Sequence, residues 1–207
     1  MKHLETTQYL AQRMGLTASE CEPYRHYCTE PQLGSKPAVV LIDFYVAGIQ
    51  QEGHTAERAV THTQTLISLA RSRAWPCVWI TRDWQSGRPS TLRRPQPYTA
   101  AQQTARYSID PRLDTAQDPI IAKPTASAYT DTDLDLWLDR WQVDSVIYAG
   151  HSTAGCVRAT VTEGFSRHRP QVIVEECVFC SDDRAHWSNL WDLHHRYAPV
   201  ISLSELQ

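Results

Sequence analysis

No apolar run in the sequence approaches the roughly 20 residues a helix needs to cross a bilayer, so a helical membrane span is not expected. The opening MKHLETTQYLAQRMG has no uninterrupted apolar core, which argues against a secretory leader and for a cytoplasmic protein. Basic residues are not in excess: 20 Lys and Arg face 23 Asp and Glu. A net charge of −3 gives no general attraction for nucleic acid or an anionic membrane. There are no internal repeats and no low-complexity tracts, which excludes a solenoid. There is also no second CxxC to accompany Cys177-Val-Phe-Cys180, and Val-Phe between the sulfurs reads as strand rather than as a metal knuckle or redox turn. His186, His194 and His195 follow and leave a metal site open at this level. The six cysteines are scattered, mostly inside apolar runs, so a disulfide framework is not expected.

What remains is the composition of a soluble globular chain, with 42% apolar and 21% charged residues and enough length for one domain over 1–207. Residues 1–36 are polar and carry Pro23, Pro31 and Gly34. With Tyr24, His26 and Tyr27 they read as an N-terminal extension laid over the surface, or as a loosely ordered arm. Ala38–Asp43 (AVVLID) is a continuous apolar run ended by a carboxylate, the pattern of a strand covered on both faces. A helix is expected over 54–73, with Val60, Thr63, Ile67 and Ala70 in one stripe. Further strands are expected at 77–81, 120–123, 145–149, 172–178 and 200–203, and further helices at 131–141, after Cys156, and at 184–197. Between Trp84 and Pro119 the pattern dissolves into a long irregular region punctuated by five prolines. Its Arg88, Arg93, Arg94 and Arg106 fit a solvated rim or an anionic-substrate site. Strands alternating with helices predict an α/β fold: a three-layer αβα, Rossmann-like arrangement around a six-stranded, mainly parallel sheet.

In such sheets ligand sites form beyond the carboxyl ends of the strands. Three chemically capable residues stand there: Asp43 after the first strand, Lys123 after the third, and Cys156 in the turn after the fourth. Cys156 sits where a helix is expected to begin, and a helix N-terminus lowers a thiol pKa and can stabilise an oxyanion. A buried structural cysteine and a plain Asp43–Lys123 ion pair fit the same residues. If the three strands are close neighbours, a carboxylate base, a cation and a thiol converge, a set suited to acyl transfer through a thioester.

Three pieces in order, VVLIDF around Asp43, IIAKPTASAYTDTDL from the strand of Lys123, and VIYAGHSTAGCVRAT around Cys156, resemble the isochorismatase-like cysteine hydrolases. The resemblance spans roughly Lys36 to the C-terminus. It implies Cys156 as nucleophile, Asp43 as its base and Lys123 as the cation between them. It also implies a cis His151–Ser152 peptide, with the N–H groups of Ser152 and Cys156 forming an oxyanion hole. Where family nicotinamidases carry an Asp/His metal pattern, this chain reads TRDWQSGRPS without histidine, so no metal and no cofactor are expected. The resemblance is nearest to the N-carbamoylsarcosine amidohydrolase and maleamate amidase branch, whose substrates are small amides or ureides bearing a carboxylate. Arg184 would bind that carboxylate, in preference to Arg158, and Phe44 and Thr153 would wall the pocket, although a core role fits Phe44 equally. Tyr129 stands where the family usually has Phe. A homo-oligomer, dimer or tetramer, is implied. Isochorismatase-type ether hydrolysis and a non-catalytic binding role on the same scaffold are the alternatives.

Overall fold

The computed structural model describes residues 2–24, 33–84 and 98–207. The expectations on His26, Tyr27, Cys28, Arg88, Arg93 and Arg94 lie outside the described residues.

An apolar run without a polar face must be covered on both sides, and β1 (Pro37–Ile42) is buried at every position. Before it come α1 (Lys2–Met14) and α2 (Ala18–Cys21); after it, in chain order, α3 (Val46–Glu52), α4 (His54–Ser72) and β2 (Cys77–Arg82). Next are α5 (Ala100–Tyr107), β3 (Ile120–Lys123), α6 (Leu134–Arg140) and β4 (Ser145–His151). The last are α7 (Arg158–Ser166), β5 (Gln171–Phe179), α8 (Asp183–Arg196) and β6 (Val200–Ile201). The six strands form one all-parallel sheet in the order β3-β2-β1-β4-β5-β6. This is the doubly wound order, in which the chain runs outward from β1 in one direction and resumes on its other side with β4.

Alternation along the strands divides the core in two. Val40, Ile42, Val78, Ile80 and Tyr148 pack under α1, α6, α7 and α8, while Val39, Leu41, Trp79 and Ile147 pack under α3 and α4. The stripe Val60, Thr63, Ile67 and Ala70 is buried, as its spacing predicts.

Three elements depart from the sequence expectation. The N-terminal extension is helical over α1, which docks on α8. Leu10 is fully buried, Tyr9 meets the Trp187 ring edge-on, and the Arg13 guanidinium lies 4.1 Å from that ring's centroid. The proline-punctuated region contains α5, started by a capping box in which Thr99 and Gln102 exchange side-chain and backbone hydrogen bonds. The helix expected from Asp131 begins only at Leu134, because Asp131 has a positive φ of 55° that cannot continue into a right-handed helix.

Candidate active site

The turn point of the strand order lies between β1 and β4, and the chemically capable residues collect at its carboxyl edge. Asp43 follows β1 with φ 55°, a left-handed conformation that Asp tolerates better than most residues. Its N–H bonds the Ile80 carbonyl at 2.8 Å, fixing it against β2. β3 is not adjacent to β1, since β2 lies between them. Lys123 nonetheless reaches across: two strand spacings are about 10 Å, within range of its flexible four-carbon stem. Its Nζ lies 2.9 Å from Asp43 Oδ2 and 3.2 Å from Cys156 Sγ, and it also donates to the Thr125 carbonyl at 3.2 Å. Lys123 is 3% exposed and Asp43 2%, so neither charge is solvated and each depends on the other. Asp43 Oδ1 has no hydrogen-bond partner among the described residues.

β4 approaches β1 too closely for any side chain at Gly150. That residue has φ 133°, and a Cβ there would stand 2.0 Å from the Ile42 carbonyl oxygen. The chain then passes through the cis His151–Ser152 peptide into a π-helical turn, Thr153–Val157, before α7 begins. Cys156 therefore sits in a π-turn one residue pair ahead of the α-helix proper, not in its first turn. The thiol is not acidified as a helix N-terminus alone predicts. Burial first, and the Asp43 charge second, push it up to about 12, and Lys123 pulls it back only in part. Burial lowers the pKa of Lys123, but Asp43 and Cys156 more than offset this and hold the ammonium charged, with a raised pKa. The resting arrangement is a neutral thiol beside a carboxylate and an ammonium.

Among the remaining predicted site residues, Thr153 is fully buried and its hydroxyl pairs with His186 Nδ1 at 2.9 Å, so it anchors the turn to α8 rather than walling a pocket. Phe44 is likewise fully buried, against the Trp79 and Phe179 rings, in the core position that its place in the sequence also fitted. Arg184 is exposed at the first turn of α8, and nothing in the structure brings its guanidinium to Cys156. Arg158 points to α8, where it pairs with Asp192 at 2.7 Å and Asn189 at 2.8 Å. The extra hydroxyl of Tyr129 meets that of Tyr148 at 2.6 Å, so the departure from Phe is matched by a buried partner. Cys177 and Cys180 are both free, and an odd spacing of three sends them to different faces of extended chain. Among the described residues no group of three or more His, Cys, Asp or Glu side chains is placed to hold a metal ion.

Other neighbours were not legible from the sequence. His151 stacks on Phe179, with centroids 5.1 Å apart, and its Nε2 lies 3.2 Å from Glu52 Oε1. Tyr45 packs edge-on against both Tyr107 and His151. No local pattern marks these residues, because tertiary packing alone brings α3 and α5 to the sheet edge.

Comparison with known proteins gives a consistent result. A family model described as the isochorismatase domain matches residues 37–205. The chain is 29% identical over 194 residues to the N-carbamoylsarcosine amidase of an Arthrobacter species, covering 82% of this chain and 69% of that protein. It is 33% identical over 87 residues to the maleamate amidohydrolase of Pseudomonas putida, a match that spans only 42% of this chain and 41% of that relative. Among solved structures, an isochorismatase family protein from Burkholderia thailandensis superposes with a TM-score of 0.75 at 22% identity, covering 86% of this chain and 96% of that one.

Proposed function

The chain belongs to the isochorismatase family of hydrolases, and from that premise we propose that it is a metal-independent cysteine amidohydrolase. It cleaves the C–N bond of a small, carboxylated amide or N-carbamoyl compound. The observation that carries this reading is Lys123 Nζ lying between Asp43 Oδ2 and Cys156 Sγ, at 2.9 and 3.2 Å, in a buried site at the turn point of the sheet. The names of the two amidase relatives support the choice of bond.

Because the thiol rests neutral, attack is coupled to proton transfer. Asp43 takes the proton as Cys156 Sγ bonds to the substrate carbonyl carbon. The carbonyl oxygen becomes an oxyanion held by the N–H groups of Ser152 and Cys156, donors of a kind whose removal typically costs about 3 kcal/mol. As the C–N bond breaks, Asp43 returns the proton to the leaving nitrogen and ammonia departs. A thioester remains on Cys156. Asp43 then deprotonates water, which attacks the thioester, releasing the acid and restoring the thiol. Lys123 stays charged throughout and keeps Asp43 aimed through their 2.9 Å contact.

The test is ammonia release from a panel of small N-carbamoyl acids, maleamate and ureides, by the intact chain and by Cys156→Ala. The expected outcome is turnover by the intact chain, complete loss in the variant with its melting temperature retained, and a covalent adduct on Cys156 alone by mass spectrometry. Hydrolysis of an enol ether without ammonia from any amide, or turnover that survives Cys156→Ala, overturns the reading.

A further inference from the structure

Beside the triad the sheet presents a cation that the chemistry above leaves unused. Arg82 ends β2, the strand lying between the two that deliver Asp43 and Lys123, and is the direct register partner of Lys123. Its guanidinium rests over the Tyr107 ring, 5.5 Å from the centroid, and its only polar partner among the described residues is the Tyr107 hydroxyl, at 3.5 Å. A guanidinium carries five N–H donors, so among the described residues most of its hydrogen-bonding capacity is unmatched. Several arginines are matched by carboxylates, as Arg112 is by Asp110, Arg158 by Asp192 and Arg169 by Asp139, while Arg73, Arg106 and Arg140 share with Arg82 a seat over an aromatic ring. Arg82 has no carboxylate partner among the described residues. It borders a cavity of about 270 Å³ whose lining includes Asp83, Trp84, Thr104, Tyr107 and Ala122, and Ala122 directly precedes Lys123.

One residue links this cavity to the nucleophile. Tyr45 packs edge-on against Tyr107 at 5.1 Å. Burial first, then the Asp43 charge, raise its phenol above the ordinary value, while Arg82 acts in the opposite direction. Tyr45 also meets the His151 ring edge-on at 6.3 Å, so it joins the Tyr107 side of the cavity to the residue that opens the cis peptide before the Cys156 turn. A planar fork held on an aromatic face, with donors unmatched among the described residues and a cavity beside it, has the form of a bidentate receptor for a carboxylate.

We propose that Arg82, seated on Tyr107, is the anion-recognition residue of the substrate site, in the role that sequence reading gives to Arg184. The inference deepens the amidohydrolase reading and rests on it only for the identity of the reacting end of the ligand. It is tested with two probes that separate the two. Binding of maleate, which cannot be turned over by amide cleavage, is measured by calorimetry on the intact chain, Arg82→Gln, Arg82→Lys and Arg184→Gln. Ammonia release is measured from maleamate and from its uncharged methyl ester.

The expected result is a roughly ten- to hundredfold loss of maleate affinity in Arg82→Gln, the scale of a hydrogen bond to a charged group. Arg82→Lys retains part of the affinity, because it keeps charge without the fork. Arg184→Gln has no effect. KM for maleamate rises by the same factor in Arg82→Gln, while turnover of the ester stays within about twofold. Arg82-dependent maleate binding without ammonia release from any amide leaves the anion site standing and removes the amidohydrolase reading. Absence of maleate binding to the intact chain, unchanged affinity in Arg82→Gln, or equal losses on the charged and uncharged substrates overturns the inference.

Discussion

At the scale of single residues, the protonation state of Cys156 decides how the chemistry starts. Its thiol is pushed up to about 12, with burial the larger cause and Asp43 the next. Alkylation by iodoacetamide should therefore keep rising with pH through 10, whereas an exposed thiol of ordinary pKa near 8.5 levels off. Asp43→Asn removes one of the two causes. That variant should alkylate about tenfold or more faster at pH 8 while losing turnover. Faster modification with no catalysis separates a base from a merely acidifying neighbour, and unchanged alkylation in Asp43→Asn would contradict the assignment. Asp43, Lys123 and Cys156 were readable in the sequence because each ends an apolar run or opens the turn after one, where a reactive side chain has little packing reason to be. Arg184 stands in a similar position and yet is exposed, while Arg82, one residue past the strand expected at 77–81, is the register partner of Lys123. Which way a long side chain bends at a strand end depends on its neighbours in space, here Tyr107 of α5, and no spacing rule reports that.

Among the elements, those with clear periodicity were legible and those defined by local hydrogen bonds were not. α4 and the strands follow from runs and stripes. α5 is too short and polar to show a stripe and exists through its Thr99–Gln102 capping box, and the π-turn before α7 depends on the approach of β4 to β1. That turn is tied to α8 through the Thr153–His186 hydrogen bond. His186 has its pKa lowered to about 4, chiefly by burial, with Arg13 also lowering it and Asp183 opposing. Its folded value lies below the unfolded one, so the neutral ring stabilises the fold in full above about pH 6.5. That contribution is lost as pH falls from there toward 4. The melting temperature should drop across this window. His186→Gln should flatten that acid limb while lowering the melting temperature at neutral pH, as followed by circular dichroism.

For the molecule as a whole, stability and site share the same close contacts. Gly150→Ala forces a Cβ to within 2.0 Å of the Ile42 carbonyl, between the two strands that frame the site. It should cost about 4 kcal/mol or more, at the far end of single-substitution effects, and denaturant titration should show little folded protein. In α1, Leu10→Ala removes a fully buried side chain from the core shared with α8. A loss of about 2–5 kcal/mol in the same titration, with kcat unchanged where the protein is folded, is expected. Alternation of strands with helices made the doubly wound architecture predictable, but the docking of α1 on α8 was not, because the polar residues of the extension outnumber the few it buries.

The pairing of β1 with β4 also bears on how the chain reaches its working state. Pro37 pairs with Ser145 and Ile42 with Gly150, partners more than a hundred residues apart, and β1 is flanked on its other side by β2. Asp43 and Lys123 can be positioned by the first part of the chain, but the thiol joins them only when β4 docks into the sheet. Closing so long a loop is slow compared with forming helices or the β1–β2 crossover unit. During refolding, helical signal should recover before Cys156 becomes protected from alkylating reagents, and hydrolytic activity should appear with that protection. The nucleophile is thereby a built-in timer, silent until the last central strand is in register.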